Sequence, residues 1–229
     1  MTLSSPTTDA VQLRLPELSP DAVSYAVFDL ETTGLDANTS QIIEIGWCVV
    51  RNQLAGKPRA LLVTCDGGVP PEIHQLTGIS DEMLAADGQE LGVALTSFLD
   101  ETDGLPLVGH NVLRFDMLFV EAACRKTGQA PPARNRYRDT AALYRASRLG
   151  MSPRPGQDHW SFASEALDRR APGLHFALHV CCAELGIAID GVARHRAGGD
   201  VQITQQLYAK LMEIDAGSIR LPLGVISRD

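Results

Sequence analysis

Val27-Phe28-Asp29-Leu30-Glu31 alternates apolar and acidic residues, and the period of two of a β-strand sends Asp29 and Glu31 to one face. Carboxylates that close repel each other, and the usual remedy is a hard divalent cation with oxygen ligands. The competing reading is a strand end whose acids simply face water. A second group, His175, His179, Cys181 and Cys182, has the residue types of a soft-metal site, since histidines four apart share a helix face. Adjacent cysteines on a helix point about 100° apart and no fourth ligand is evident, so core packing is expected there.

Elements of two kinds are available to position these side chains. Tyr25 to Asp29, Ile42 to Val50 and Arg59 to Cys65 are rich in β-branched and aromatic residues with turn signals between them, which predicts three strands. Helical spacing takes over at Ser80-Asp81-Glu82-Met83 and continues from Glu90 to Leu99. Pro106 to His110 reads as a short strand, and Leu113 to Lys126 as a helix closed by Gly128. Tyr137 to Thr140 predicts a strand leading into a helix through Ser147, Ala177 to Leu185 a helix ending at Gly186, and the region after Gly199 a helix through Ile214. Strands first and helices later, with strands interspersed, predict an α/β fold: a mixed central sheet flanked by helices. Residues 1–22 read as a poorly ordered lead-in, 23–215 as one domain with an insertion near 147–175 around the apolar fragment Trp160 to Leu167, and 216–229 as a tail. Trp47 and Trp160 are expected in core and insertion packing.

Composition narrows the function classes. The 229 residues carry 20 Lys plus Arg against 28 Asp plus Glu, a net charge of −8, so a uniformly basic nucleic-acid surface is excluded. The charge is segregated, however: between Arg125 and Arg196 lie 12 basic and 6 acidic residues. Arg134, Arg136, Arg138, Arg145 and Arg148 are therefore either solvated faces or a surface that tracks phosphates. Five cysteines with no CxxC pair indicate neither a disulfide framework nor a zinc ribbon and fit a reducing, cytoplasmic compartment. No apolar run approaches the roughly 20 residues that span a bilayer, so no membrane partner is expected.

Asp29-Leu30-Glu31-Thr32-Thr33-Gly34-Leu35, followed by Ile42-Ile43-Glu44-Ile45-Gly46, closely resembles the first signature of the DEDDh exonucleases, the family of bacterial proofreading subunits. Ile73-His74-Gln75-Leu76-Thr77-Gly78-Ile79 is similar to the family's loop that approaches the 3′-terminal nucleotide. Gly109-His110-Asn111 with Phe115-Asp116 resembles the second signature, and His195 with Asp200 matches the third. The resemblance spans Tyr25 to Lys210 in the family's order.

That resemblance implies an RNase H-like fold whose first three strands are antiparallel and whose later strands run parallel to the first. It implies a 3′-5′ exonuclease that hydrolyses terminal phosphodiesters, DNA being preferred, and releases nucleoside 5′-monophosphates. Asp29, Glu31, Asp116 and Asp200 would gather two Mg²⁺ or Mn²⁺ ions, with His195 as general base. Thr32, Gly34, Leu35, His74, Thr77, Asn111 and Phe115 would contact the substrate. The partners implied are a single-stranded or frayed 3′ end and a DNA polymerase subunit or sliding clamp; 219–223 resembles a clamp-docking peptide with Ser218 in place of the usual leading glutamine. An exoribonuclease and a non-catalytic module that binds a polymerase or a nucleic-acid end are the alternatives. Two departures from the family pattern stand out: three residues separate Asn111 from Phe115 where many relatives have two, and Gly198-Gly199 precedes Asp200, which predicts a loosened segment around His195.

Overall fold

A computed structural model describes residues 24–189, 191 and 195–215; the lead-in and the tail, with its clamp-like peptide, lie outside them. Six strands form one sheet: β1 (Tyr25–Thr32), β2 (Ile42–Arg51), β3 (Leu54–Ala55), β4 (Arg59–Leu62), β5 (Leu107–Gly109) and β6 (Tyr137–Asp139). Along the sheet the order is β3-β2-β1-β5-β6, with β4 also paired to β2. β2 pairs antiparallel with both β1 and β4, whereas β5 runs parallel to β1 and β6 parallel to β5. The mixed sheet flanked by helices is thus as expected, with the two-residue β3 as an addition.

The helices are α1 (Pro71–Thr77), α2 (Asp81–Asp87), α3 (Leu91–Glu101), α4 (Asp116–Thr127), α5 (Thr140–Arg148), α6 (His159–Asp168), α7 (Leu178–Glu184) and α8 (Ala197–Asp215). Their ends follow the local chemistry. Ser80 caps α2 through Met83 N–H, and Gly128 and Gly78 end α4 and α1 in the left-handed conformation that glycine tolerates.

β1 separates two cores. Ala26, Phe28 and Leu30 face a large cluster with α3, α4, α5 and α6, in which the Phe98 ring lies 5.3 Å from that of Phe28 and 5.8 Å from that of Trp47. Tyr25 and Val27 face the opposite way, against Val201 and Tyr208 of α8. A period of two therefore places Asp29 and Glu31 on the α8 side. A third cluster joins Tyr144 of α5, Cys181 and Cys182 of α7, and Ile203, Leu207 and Leu211 of α8. Core packing is thus met by those two cysteines, whereas His175 and His179 are exposed.

Candidate active site

The site grows from a strand that outruns its neighbour. β5 pairs with β1 only at Ala26 and Val27, so β1 extends past it and the Leu30 N–H is left beyond the ladder. Asp116, in the first turn of α4, accepts that N–H through Oδ1 at 3.1 Å. The second-signature carboxylate is thereby fixed to the strand that bears Asp29 and Glu31.

Asp200 arrives from the other direction. In the β1–β2–β4 register Asp29 lies opposite Gly46, and Gly46 opposite Ala60. This row of small residues admits the first turn of α8. A Cβ at Gly46 would stand 2.6 Å from the carbonyl carbon and the Cβ of Ala197, and Gly198 comes to 3.6 Å from Ala60 by the same construction. Asp29, Glu31 and Asp200 each offer a carboxylate oxygen within 4.8 Å of the others. Gly198 and Gly199 lie inside α8 rather than before it, and Gly199 N–H and Asp200 N–H both donate to the Arg196 carbonyl. The turn expected to be loose is hydrogen-bonded. His195 precedes it in a left-handed backbone conformation (φ 57°), its N–H donating to Asp200 Oδ2 at 3.0 Å.

Electrostatics mark the cluster as short of positive charge. Burial, then repulsion from Asp116, Glu31, Asp200 and Glu44, lifts the Asp29 carboxyl well above the ordinary range. Burial and the charges of Asp200, Glu44 and Asp116 push Glu31 up to about 8, with Arg196 opposing. Asp116 is pushed up to about 7 by burial, against the hydrogen bond from Leu30.

The residues expected to touch substrate are placed unevenly. Leu35 is 87% exposed on the turn that follows β1. Thr32 Oγ1 donates to the Gly34 carbonyl at 2.6 Å, and a Cβ at Gly34 would meet Ser40 Oγ at 2.6 Å, so the turn folds tightly behind Leu35. The segment around His74, expected as a loop, is helix α1, started by Pro70-Pro71 and stopped by Gly78. His74 Nδ1 donates to the Ile79 carbonyl at 2.8 Å, leaving Nε2 turned to other partners. Thr77 is buried; its hydroxyl donates to Ile73 O and accepts from Ile79 N–H, which ties off α1 and leaves no free hydroxyl. Phe115 precedes α4, half-buried, with its ring 4.9 Å from that of Phe119. Asn111 takes a left-handed conformation (φ 61°), with a buried Oδ1 that has no protein partner.

Two supporting carboxylates were missed as site residues. Asp139 accepts N–H groups from Asn111, Leu113, Ala141 and Ala142, so one side chain caps α5 and holds the approach to Asp116. Its signal was an Asp at a strand-to-helix junction. Glu44 sits inside the buried run of β2, an acid amid apolar residues. Nearby, His110 is half-buried and its desolvation pushes it down to about 4, hence neutral: Nε2 donates to Phe176 O and Nδ1 receives the Thr140 hydroxyl.

The arginines that suggested a phosphate-tracking surface are each engaged within the protein. Arg134 pairs with Glu121 and lies over the Trp160 ring. Arg136 donates to the carbonyls of Leu105 and Thr102. Arg138 contacts Asn135 O, Tyr137 O and His159. Arg145 donates to the carbonyls of Ala166 and Arg169, and Arg148 pairs with Glu184 at 3.5 Å. Arg134, Arg138 and Arg145 thereby fasten α6 and the residue that follows it to the body of the domain.

The RNase_T family, described as Exonuclease, matches residues 26–208. The DNA polymerase III subunit epsilon of Treponema pallidum is 26% identical over 193 residues, which cover 83% of this chain and 77% of that protein. The PolC-type DNA polymerase III of Mycoplasma pneumoniae is 28% identical over 185 residues, 81% of this chain but 11% of the relative's length. Among solved structures, E. coli exonuclease I in complex with a dT13 oligonucleotide superposes with a TM-score of 0.64 at 18% identity, covering 86% of this chain and 42% of that one. The fold is RNase H-like. No helix among the described residues is long and apolar enough to cross a membrane.

Proposed function

The chain belongs to the RNase_T exonuclease family, and from that membership we propose that it hydrolyses the terminal phosphodiester at the 3′ end of DNA. The released product is a nucleoside 5′-monophosphate. The observation that carries this reading is the convergence of Asp29, Glu31 and Asp200, drawn from the two ends of the chain, on the strand to which Asp116 is hydrogen-bonded.

The donor set fits hard cations. It is all oxygen, it is crowded, and its raised carboxyl pKa values mark charge that the protein leaves unbalanced. Asp29, Glu31, Asp116 and Asp200 would hold two Mg²⁺ or Mn²⁺ ions. Bound there, the ions would supply positive charge to the phosphate under attack and to the departing oxygen. His195 takes the proton of the attacking water, a role that suits a neutral imidazole. Its main chain is tethered to Asp200, so the base and one carboxylate are placed together. Leu35 and Phe115 offer apolar contact to the terminal base, His74 and Asn111 are the polar residues on the substrate side, and Thr32 and Gly34 shape the turn that carries Leu35.

The substrate is a single-stranded or frayed 3′ end; a polymerase subunit or clamp is the protein partner, and the cytoplasm the place of action. The test is digestion of 5′-labelled single-stranded DNA, 3′-mismatched duplex DNA and RNA. Stepwise shortening of DNA that stops in EDTA is expected. Undiminished hydrolysis in metal-free buffer overturns the metal assignment, and a preference for RNA replaces the substrate.

A further inference from the structure

Glu44 is a fifth carboxylate on the face that carries Asp29 and Glu31. It stands directly opposite Glu31 in the β1–β2 register and is 1% exposed. Both of its oxygens are engaged within the protein. Arg196 Nε lies 3.2 Å from each of its oxygens and Nη2 lies 2.7 Å from Oε1. Ala197 N–H donates to Oε2 at 2.8 Å.

These donors lie inside the third signature, between His195 and Asp200. Arg196 follows His195, and Ala197 opens α8, three residues before Asp200. His195 holds a φ of 57°, which a residue with a side chain keeps only when its surroundings over-determine it. On its C-terminal side that constraint is the fork of Arg196 on Glu44. A guanidinium suits the task because its planar donors fix orientation as well as distance. An apolar pair would cost less to bury, and the buried charge is retained where position matters more than stability. Arg196 also offsets part of the charge that Glu44 brings to Asp29 and Glu31, and it opposes the rise at Glu31.

We propose that Glu44 and Arg196 are a positioning pair for catalysis: the carboxylate of β2 clamps Arg196 and the first turn of α8, and thereby sets the His195 imidazole and the Asp200 carboxylate over Asp29 and Glu31. The proposal rests on the reading of His195 as the general base, and its test keeps the two separable.

The test is a double-mutant cycle between Arg196→Lys, which keeps the charge and loses the fork, and His195→Ala. Arg196→Lys should lower kcat by about 10- to 100-fold, the usual span for losing a supporting contact, with KM for a short oligonucleotide unchanged. In the His195→Ala background the same substitution should cost clearly less than in the wild type, because coupled residues fail to add. Full additivity, or an Arg196→Lys enzyme as fast as wild type, overturns the positioning role. A His195→Ala enzyme that loses less than about tenfold, below the span for a general base, overturns the base reading itself, whatever Arg196→Lys does. Glu44→Gln supplies a second route through amide exchange in metal-free protein. Faster exchange confined to the Ala197 amide and the first turn of α8 is expected. Equal acceleration along the β1–β2 ladder would mean that the pair only holds the fold together, and would overturn the proposal.

Discussion

Two regions of this molecule concentrate charge and treat it in opposite ways. On the α8 side of the sheet, Asp29, Glu31, Asp116 and Asp200 are crowded until three of them hold their protons far above the ordinary range. Around β6 and α6, Arg134, Arg136, Arg138 and Arg145 are each matched to a carbonyl or a carboxylate. The acidic region leaves its electrostatics open and the basic one closes its own. A charge that the fold has already satisfied is scaffold, whereas a charge left unbalanced at a fixed position is where a ligand can do work.

The sharpest break of that comparison is Asp200→Asn. It should abolish turnover at least as completely as the roughly 10²- to 10⁴-fold loss expected for His195→Ala, and it alone of the two should weaken Mn²⁺ binding, read by titration calorimetry. Equal metal affinity in both variants would remove Asp200 from the ion-holding set.

Metal-free protein should next show an inverted pH dependence of stability. Glu31 and Asp116 hold protons up to about 8 and about 7 in the folded state, against 4.5 and 3.8 as ordinary values. Between those limits the folded chain binds more protons than the unfolded one, so stability falls as pH rises. The melting temperature in EDTA should drop through this window, and saturating Mn²⁺ should flatten the slope; a metal-free melting temperature that rises instead would contradict the crowding.

On the basic side, Arg136→Gln leaves the buried Thr102 carbonyl and that of Leu105 short of a donor. It should cost about 1.5–3 kcal/mol of stability, the usual worth of a charge-assisted bond. Its effect on kcat/KM should be the same for short and long oligonucleotides. A selective rise in KM for long substrates would restore a phosphate-tracking role. Smallest of all, Leu35→Ala should leave stability within about 0.5 kcal/mol, as exposed positions do, while raising KM for every substrate; an unchanged KM would take Leu35 out of the binding site.

The strands and the acid pair were legible because both rest on local periodicity, and the site could be outlined because its signatures are contiguous. What escaped notice depends on distant partners. Arg134, Arg136 and Arg138 look like a free basic run until the carbonyls of Thr102 and Leu105 and the α6 side chains are set against them. Glu44 belongs to a recognisable motif, yet its role is visible only when Arg196 arrives from the far end of the chain. α1 was read as a loop although Pro70-Pro71 and Gly78 mark its two ends, since seven residues give too little periodicity to outweigh those turn formers.

Gly46 places a limit on how this domain can vary. With the Ala197 backbone where a Cβ of residue 46 would go, positions 46 and 197 share one fixed volume, and enlarging the first means lifting the helix rather than trimming a side chain. The distance between Asp200 and the strand acids is then governed by a residue with no side chain and no chemistry. Gly46→Ala acts as a spacer inserted beneath the catalytic helix, a way to detune the enzyme without altering any group that touches its substrate.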